Sequence, residues 1–135
     1  MLFIYEEINF SVGEDTFVRS GIDASKTVVF DDNEETGYFY AISRENGMEV
    51  LDALHIYDVA SVVDKHVPSV LKILWTEDES TVFLSINDYY HAVFDFRNQA
   101  GYCRNAFPGP RSPWTEVKER ELTDQLIERL IIDRI

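Results

Sequence analysis

Three short runs between positions 70 and 96, VLKILW, STVFLSI and YHAVFDF, are rich in β-branched and aromatic residues, and the polar segments TEDE and NDY separate them. That pattern predicts three strands in an antiparallel meander. Upstream, KTVVF at 26–30 is a short apolar run that ends in the acidic turn DDNEETG. YFYAI at 38–42 is aromatic or apolar on both faces, which suits an interior strand covered on two sides. ENG at 45–47 reads as a turn. The stretch MEVLDALHIYDVASVV is two-valued: Val50, Leu51 and Leu54 have helical spacing, yet Leu54 and Ile56 alternate with His55 and Tyr57. The alternation predicts a strand over 53–59, and residues 65–68 a break.

The period of two also fixes an expected register. Val82, Leu84 and Ile86 share one face of their strand, and Tyr90, Ala92, Phe94 and Phe96 share one face of the next. A two-residue turn at Asn87-Asp88 pairs Leu84 with His91 and mixes polar with apolar. A three-residue loop, Asn87-Asp88-Tyr89, pairs Ile86 with Tyr90, Leu84 with Ala92 and Val82 with Phe94, so the three-residue loop is expected, with Asn and Asp taking the left-handed positions. His91 and Asp95 then lie on the opposite face about 13 Å apart, four strand steps of about 3.3 Å, too far for a catalytic pair unless a bulge intervenes. They are expected as solvated or rim positions.

After the meander, RNQAGYCRNAFPGPRSP is rich in Gly, Pro and Arg and reads as a loop packed over one end. The chain closes with an amphipathic helix. Thr123 is its expected N-cap, Asp124 suits the positive end of the helix dipole, and Leu122 with Ile127 forms a hydrophobic staple. Leu126, Leu130 and Ile131 make the expected buried stripe, while 114–121 can be read as a backward extension of the helix or as loop. The expected fold is one α+β domain over 1–135: an antiparallel meander sheet with the C-terminal amphipathic helix packed on one face.

Composition narrows the function classes. The chain has 135 residues, 45% of them hydrophobic, which is enough for one sizeable core. The N-terminus MLFIYEEINF has no basic leader and turns acidic within six positions, so neither a secretory signal nor a membrane span is expected there. The single cysteine, Cys103, excludes an intramolecular disulfide, and a reducing cytoplasm is the simplest home. There are 25 acidic and 12 basic residues, a formal net charge of −13. Such a field repels nucleic acid and anionic lipid and attracts cationic partners.

Candidate chemistry is sparse. No Gly-x-Ser-x-Gly elbow, dinucleotide fingerprint or phosphate loop occurs, and DDNEE lacks the spacing of a calcium loop. His55, His66 and His91 are scattered without metal-ligand spacing; His55 and Tyr57 suit half-buried strand positions, and His66 an exposed one. No catalytic, cofactor or metal residue is therefore assigned. Cys103 stands beside Arg104, whose guanidinium favours a thiolate, and a site assembled from Cys103, Arg104 and His91 or His55 is the enzymatic alternative. An inert buried cysteine is the simpler reading. What remains are surfaces. Two acidic loop tips, Asp31, Asp32, Glu34 and Glu35 in one and Glu77, Asp78 and Glu79 in the other, make a concentrated negative patch if they share one end of the sheet. Tyr89 projects from a loop tip as a possible interface anchor.

The string GYFYA…LDALHIYDV…HAVFDF…GYCR resembles a family of small bacterial proteins catalogued as a domain of unknown function, over residues 31–108. The resemblance implies a bacterial cytoplasmic protein and carries no catalytic residue; the C-terminal helix lies outside it. The expected function is an acidic protein-binding module, most concretely an immunity-type protein that neutralises a basic toxin or another cationic protein. The alternatives are the small Cys103 enzyme and a structural, self-associating domain.

Overall fold

The computed structural model describes residues 1–109, 114–115 and 119–133. Among them, nine strands form two antiparallel sheets. The strands are β1 (Leu2–Phe10), β2 (Thr16–Asp23), β3 (Lys26–Asp32), β4 (Thr36–Ser43), β5 (Glu49–Asp58), β6 (Ser69–Thr76), β7 (Thr81–Ile86), β8 (Tyr89–Asp95) and β9 (Ala100–Cys103), and the helix is α1 (Asp124–Asp133). One sheet runs β2-β3-β4-β5 and the other β1-β6-β7-β8-β9. The α+β class and the β6-β7-β8 meander are present, but the sheet is not a single meander. The chain begins in one sheet, builds the second, and returns to the first.

The reason is burial. Four strands carry one apolar face each that a single helix is too small to cover, so the sheets cover each other. Val28, Phe30, Phe39 and Leu54 of the four-stranded sheet meet Leu71, Ile73, Trp75, Val82, Leu84 and Phe94 of the other. Phe39 stacks on Phe94 across the gap, with centroids 5.2 Å apart. The buried indole Nε1 of Trp75 donates to Ser20 Oγ at 3.0 Å, which satisfies the polar atom between the sheets. Each fully buried aliphatic or Phe side chain here contributes about 1.5–3 kcal/mol relative to exposure.

The helix covers the opposite face of the five-stranded sheet. Leu74, Phe83 and Val93 pack there against Leu122, Ile127 and Leu130. Thr123 caps it as expected, its Oγ1 accepting the Leu126 N–H at 3.1 Å, and both staple residues are buried. The buried stripe is Ile127 and Leu130, whereas Leu126 and Ile131 are half-buried flanks. Residues 119–123 are not helical, and 116–118 of the questioned extension lie outside the described residues. The strand covered on both faces is β7, every residue of which is buried; β4 is covered on one face only, and Tyr38 and Tyr40 remain half-buried.

The β7–β8 connection corrects the expected loop. Asn87 and Asp88, with φ of 52° and 64°, form a two-residue turn, and Ile86 pairs with Tyr89. A bulge at His91 then resets the register, so Leu84 still faces Ala92 and Val82 still faces Phe94. The extra residue sits inside the strand rather than in the loop. Tyr90 consequently turns to the helix side, where its ring meets Phe83 edge-on at 5.3 Å.

The expected loop after β8 contains β9, which pairs with β8. Beyond it, the Cys103 N–H donates to the Arg120 carbonyl, the Cys103 carbonyl accepts from the Leu122 N–H, and Cys103 bridges Glu121 in parallel, so the approach to the helix rides along the sheet edge. Residues 110–113 of that expected loop lie outside the described residues.

Where β5 meets this edge, Asp52 points inward at 7% exposure and Arg120 is 2% exposed. Arg120 NH2 pairs with Asp52 Oδ1 at 2.8 Å and donates to the Ala53 carbonyl at 2.9 Å. The Ala53 N–H and the Thr115 hydroxyl also donate to Asp52. Gly101 leaves room for this carboxylate, since a Cβ there would stand 2.7 Å from Asp52 Oδ2.

Candidate functional site

The two acidic tips are at opposite ends of the sandwich, so they do not form one patch. The first lies beside the β1–β2 turn and the end of β5. Asp32, expected to face a partner, is fully buried there: it accepts the Gly13 and Glu34 N–H groups at 2.8 Å and the Tyr57 hydroxyl at 2.5 Å. This network ties the β1–β2 and β3–β4 turns to the end of β5. Burial and the carboxylate push the Tyr57 hydroxyl far upward, so it stays a donor. Glu34 and Glu35 are exposed, and Asp31 is half-buried on the other face of the strand. Burial, then Asp15 and Asp32, raise the Asp31 carboxyl.

The second tip, between β6 and β7, borders a cleft of about 560 Å³ with Ser25, Lys26, Ser43, Glu45 and Arg97. Asp78 is occupied structurally by Thr76, Ser80 and Arg97, while Glu77 and Glu79 face solvent. Tyr89 is exposed as expected, with the Arg104 guanidinium 4.3 Å above its ring and His91 edge-on at 4.9 Å.

Of the enzymatic candidates, Cys103 and His55 are linked through Asn105, whereas Arg104 and His91 lie apart from them. Cys103 is fully buried in the main core, and that burial pushes its thiol up, away from thiolate. Arg104 turns the other way, donating to the Tyr90 and Leu122 carbonyls and pairing with Asp124 at 3.0 Å. His91 sits at the bulge and lines an apolar cleft of about 300 Å³ with Val12, Tyr57, Val62, Val67 and Ile86. Burial, then Arg104, push it down to about 4. Asp95 is buried instead of solvated and caps the following turn, accepting from the N–H of Arg97 and from Asn98.

His55 belongs to an ordered polar chain. Asn105 Oδ1 accepts from the Phe107 N–H at 3.0 Å and from the Cys103 thiol at 3.2 Å. Its amide nitrogen therefore faces His55 Nδ1 at 2.7 Å, and His55 Nε2 meets Asp58 Oδ1 at 3.0 Å. The donor set places the imidazole proton on Nε2.

The feature that sequence reading missed is the outer face of the four-stranded sheet, which no described helix covers. Register aligns Phe17, Asp31, Tyr38 and His55 in a row across β2 to β5. Tyr38 stacks on Tyr40 at 5.8 Å and meets His55 edge-on at 5.4 Å, and His55 meets Phe107 at 5.7 Å. Thr36, Tyr38, His55, Asp58, Asn105 and Phe107 enclose a cleft of about 390 Å³. The visible signal is the i, i+2 spacing of Tyr38 and Tyr40, which places both on one face.

With the geometry in view, a family model described as an uncharacterized protein conserved in bacteria (DUF2251) matches residues 10–131. The chain belongs to this family. The match spans all of β2 to β9 and most of α1, so both sheets and the helix are part of the DUF2251 unit. An uncharacterized protein of Haemophilus influenzae is 42% identical over 105 residues, 76% of this chain and 63% of the relative. This DUF2251 chain thus spans just under two thirds of that relative's length. No solved structure matches it. No helix among the described residues is long and apolar enough to cross a membrane.

Proposed function

We propose that this DUF2251 protein is a non-catalytic acidic binding module that captures a cationic protein in the bacterial cytoplasm, most concretely an immunity-type protein that holds a basic toxin inactive. The observation that carries the reading is the net charge of −13, with exposed carboxylates at both ends of the sandwich, Glu34 and Glu35 at one and Glu77 and Glu79 at the other. Such a field speeds encounter with a basic surface and weakens as salt screens it. The burial of Cys103 and the structural use of Arg104 add support, because they remove the reactive groups most available to an enzymatic reading.

The test is affinity isolation from the native bacterium on the immobilised protein at about 50 mM salt, with elution by rising salt. A basic protein that is retained, elutes between roughly 150 and 500 mM salt, and has its toxicity suppressed by co-expression supports the proposal. Retention of no basic protein at low ionic strength sinks it.

A further inference from the structure

An antiparallel sheet needs cover on one face only, and here the sandwich core supplies it. The other face of β2 to β5 nonetheless carries large aromatic side chains. Phe17 is 66% exposed and Phe107 54%, and Tyr38 and Tyr40 are half-buried between them. Three of these aromatics stand on the sheet itself, and Phe107 is brought alongside β5 by the bond from the His55 N–H to its carbonyl. Tyr and Phe bring contact area with few rotors to immobilise, which is why such side chains anchor interfaces.

Two carboxylates flank the Tyr38 row, and the face's exposed cation, Arg19, stands one row away in line with Val29 and Tyr40. Asp31 stands beside Tyr38 in the register, and Asp58 lies at the rim of the cleft, 59% exposed, with one oxygen on His55. Among the described residues no cation pairs with Asp31. The cleft combines a Tyr face, a Phe face and a carboxylate. Cations are attracted to aromatic faces, and arginine also offers a planar fork that meets a carboxylate in two hydrogen bonds.

We infer that this uncovered aromatic face is the docking site for an arginine-bearing segment of a protein partner, with one guanidinium seated between Tyr38 and Phe107 and paired to Asp58, and a neighbouring arginine paired to Asp31. The inference rests on the cationic-partner reading and adds the place and the side chain. It also assigns the polar chain a role. Asn105 holds His55 from one side, so the imidazole proton is directed at Asp58 Oδ1 and the carboxylate is fixed at the cleft wall before the partner arrives. His55 is thus a positioning residue.

The test uses the intact protein with a hexa-arginine peptide as probe and hexa-lysine as comparator. Binding is measured calorimetrically at about 20 and 150 mM salt, together with amide chemical shifts of the unmutated protein. The expected result is that hexa-arginine shifts the amides of Asp31, Tyr38 and His55 at the higher salt and binds at least threefold more tightly than hexa-lysine. Tyr38→Ala and Asp31→Asn each weaken it tenfold or more, whereas Glu77→Gln, which removes the same charge elsewhere, changes it less than twofold. Thermal melts accompany each variant, and the shift map stands independently should Tyr38→Ala lose its fold. Binding weakened equally by Asp31→Asn and Glu77→Gln, with shifts spread over both ends, overturns the docking face and leaves the cationic-partner reading standing. No binding of either peptide at low salt overturns both.

Discussion

Replacing Asp52 by Asn deletes one charge, keeps the side-chain shape, and leaves Arg120 as a lone cation in a closed space. Arg120 is 2% exposed, and among the described residues its Nε and NH1 have no hydrogen-bond partner, so the ion pair and the Ala53 carbonyl carry the compensation seen there. Breaking a buried pair from one side costs about 3–5 kcal/mol. At about 2.1 cal/mol/K of unfolding entropy per residue, a chain of this length loses about 3.5 °C in Tm per kcal/mol, so Asp52→Asn should melt about 10–18 °C lower. Arg120→Met strands the other partner and should likewise destabilise the fold. The double variant Asp52→Leu/Arg120→Met should recover most of the loss. Urea melts of the four proteins at pH 7 provide the assay. An Asp52→Asn cost below about 1 kcal/mol at pH 7 would refute the claim that this pair is desolvated and closes the β5–β9 edge.

Three further outcomes follow from named contacts. His91 is held near 4 in the fold against about 6.5 unfolded, so the folded state binds fewer protons between those values and stability falls as pH drops through that window. The contribution is about 2 kcal/mol between pH 7.5 and 5, and urea melts should show the His91→Gln variant losing less stability than the parent protein by about that amount. The Asn105 contacts fix the His55 proton on Nε2, so long-range nitrogen–proton NMR should show a protonated Nε2 and a bare Nδ1, and Asn105→Leu should abolish that preference. Thr123→Ala removes the helix cap and should cost about 1 kcal/mol, read as a Tm lower by about 3–4 °C; no change would mean that the cap bond is not formed in solution.

What the sequence revealed is local. Strand and helix periods identify β3 to β8 and α1, and the cap at Thr123 is legible because its chemistry is confined to four consecutive residues. What it concealed depends on distant pairing. The strands β1 and β2 interleave apolar with charged residues, as in LFIYEEINF, because both lie at sheet edges with one wet side. The β7–β8 connection is not legible in the sequence because a two-residue turn plus bulge and a three-residue loop give the same downstream pairs, and only backbone geometry separates them. Asp31 and Asp32 look alike in sequence, yet the period of two sends one to the outer face and the other to a buried network with Tyr57, 25 positions away. The row from Phe17 to His55 requires three strand registers at once, which no single stretch encodes.

The last consequence concerns β1, whose outer side no described strand joins. Phe3, Ile4 and Tyr5 are exposed on it, the composition of a surface that recruits further copies into ribbons. A register shift between Ile4 and Glu6 breaks the flat run, and Glu6 with Glu7 occupies the middle of the strand. An identical chain laid antiparallel there would set carboxylate against carboxylate, which is unfavourable for directly opposed side chains. The negative surplus thus also acts inward on the protein's own population: it keeps crowded copies apart and lets a sticky border exist without seeding fibres.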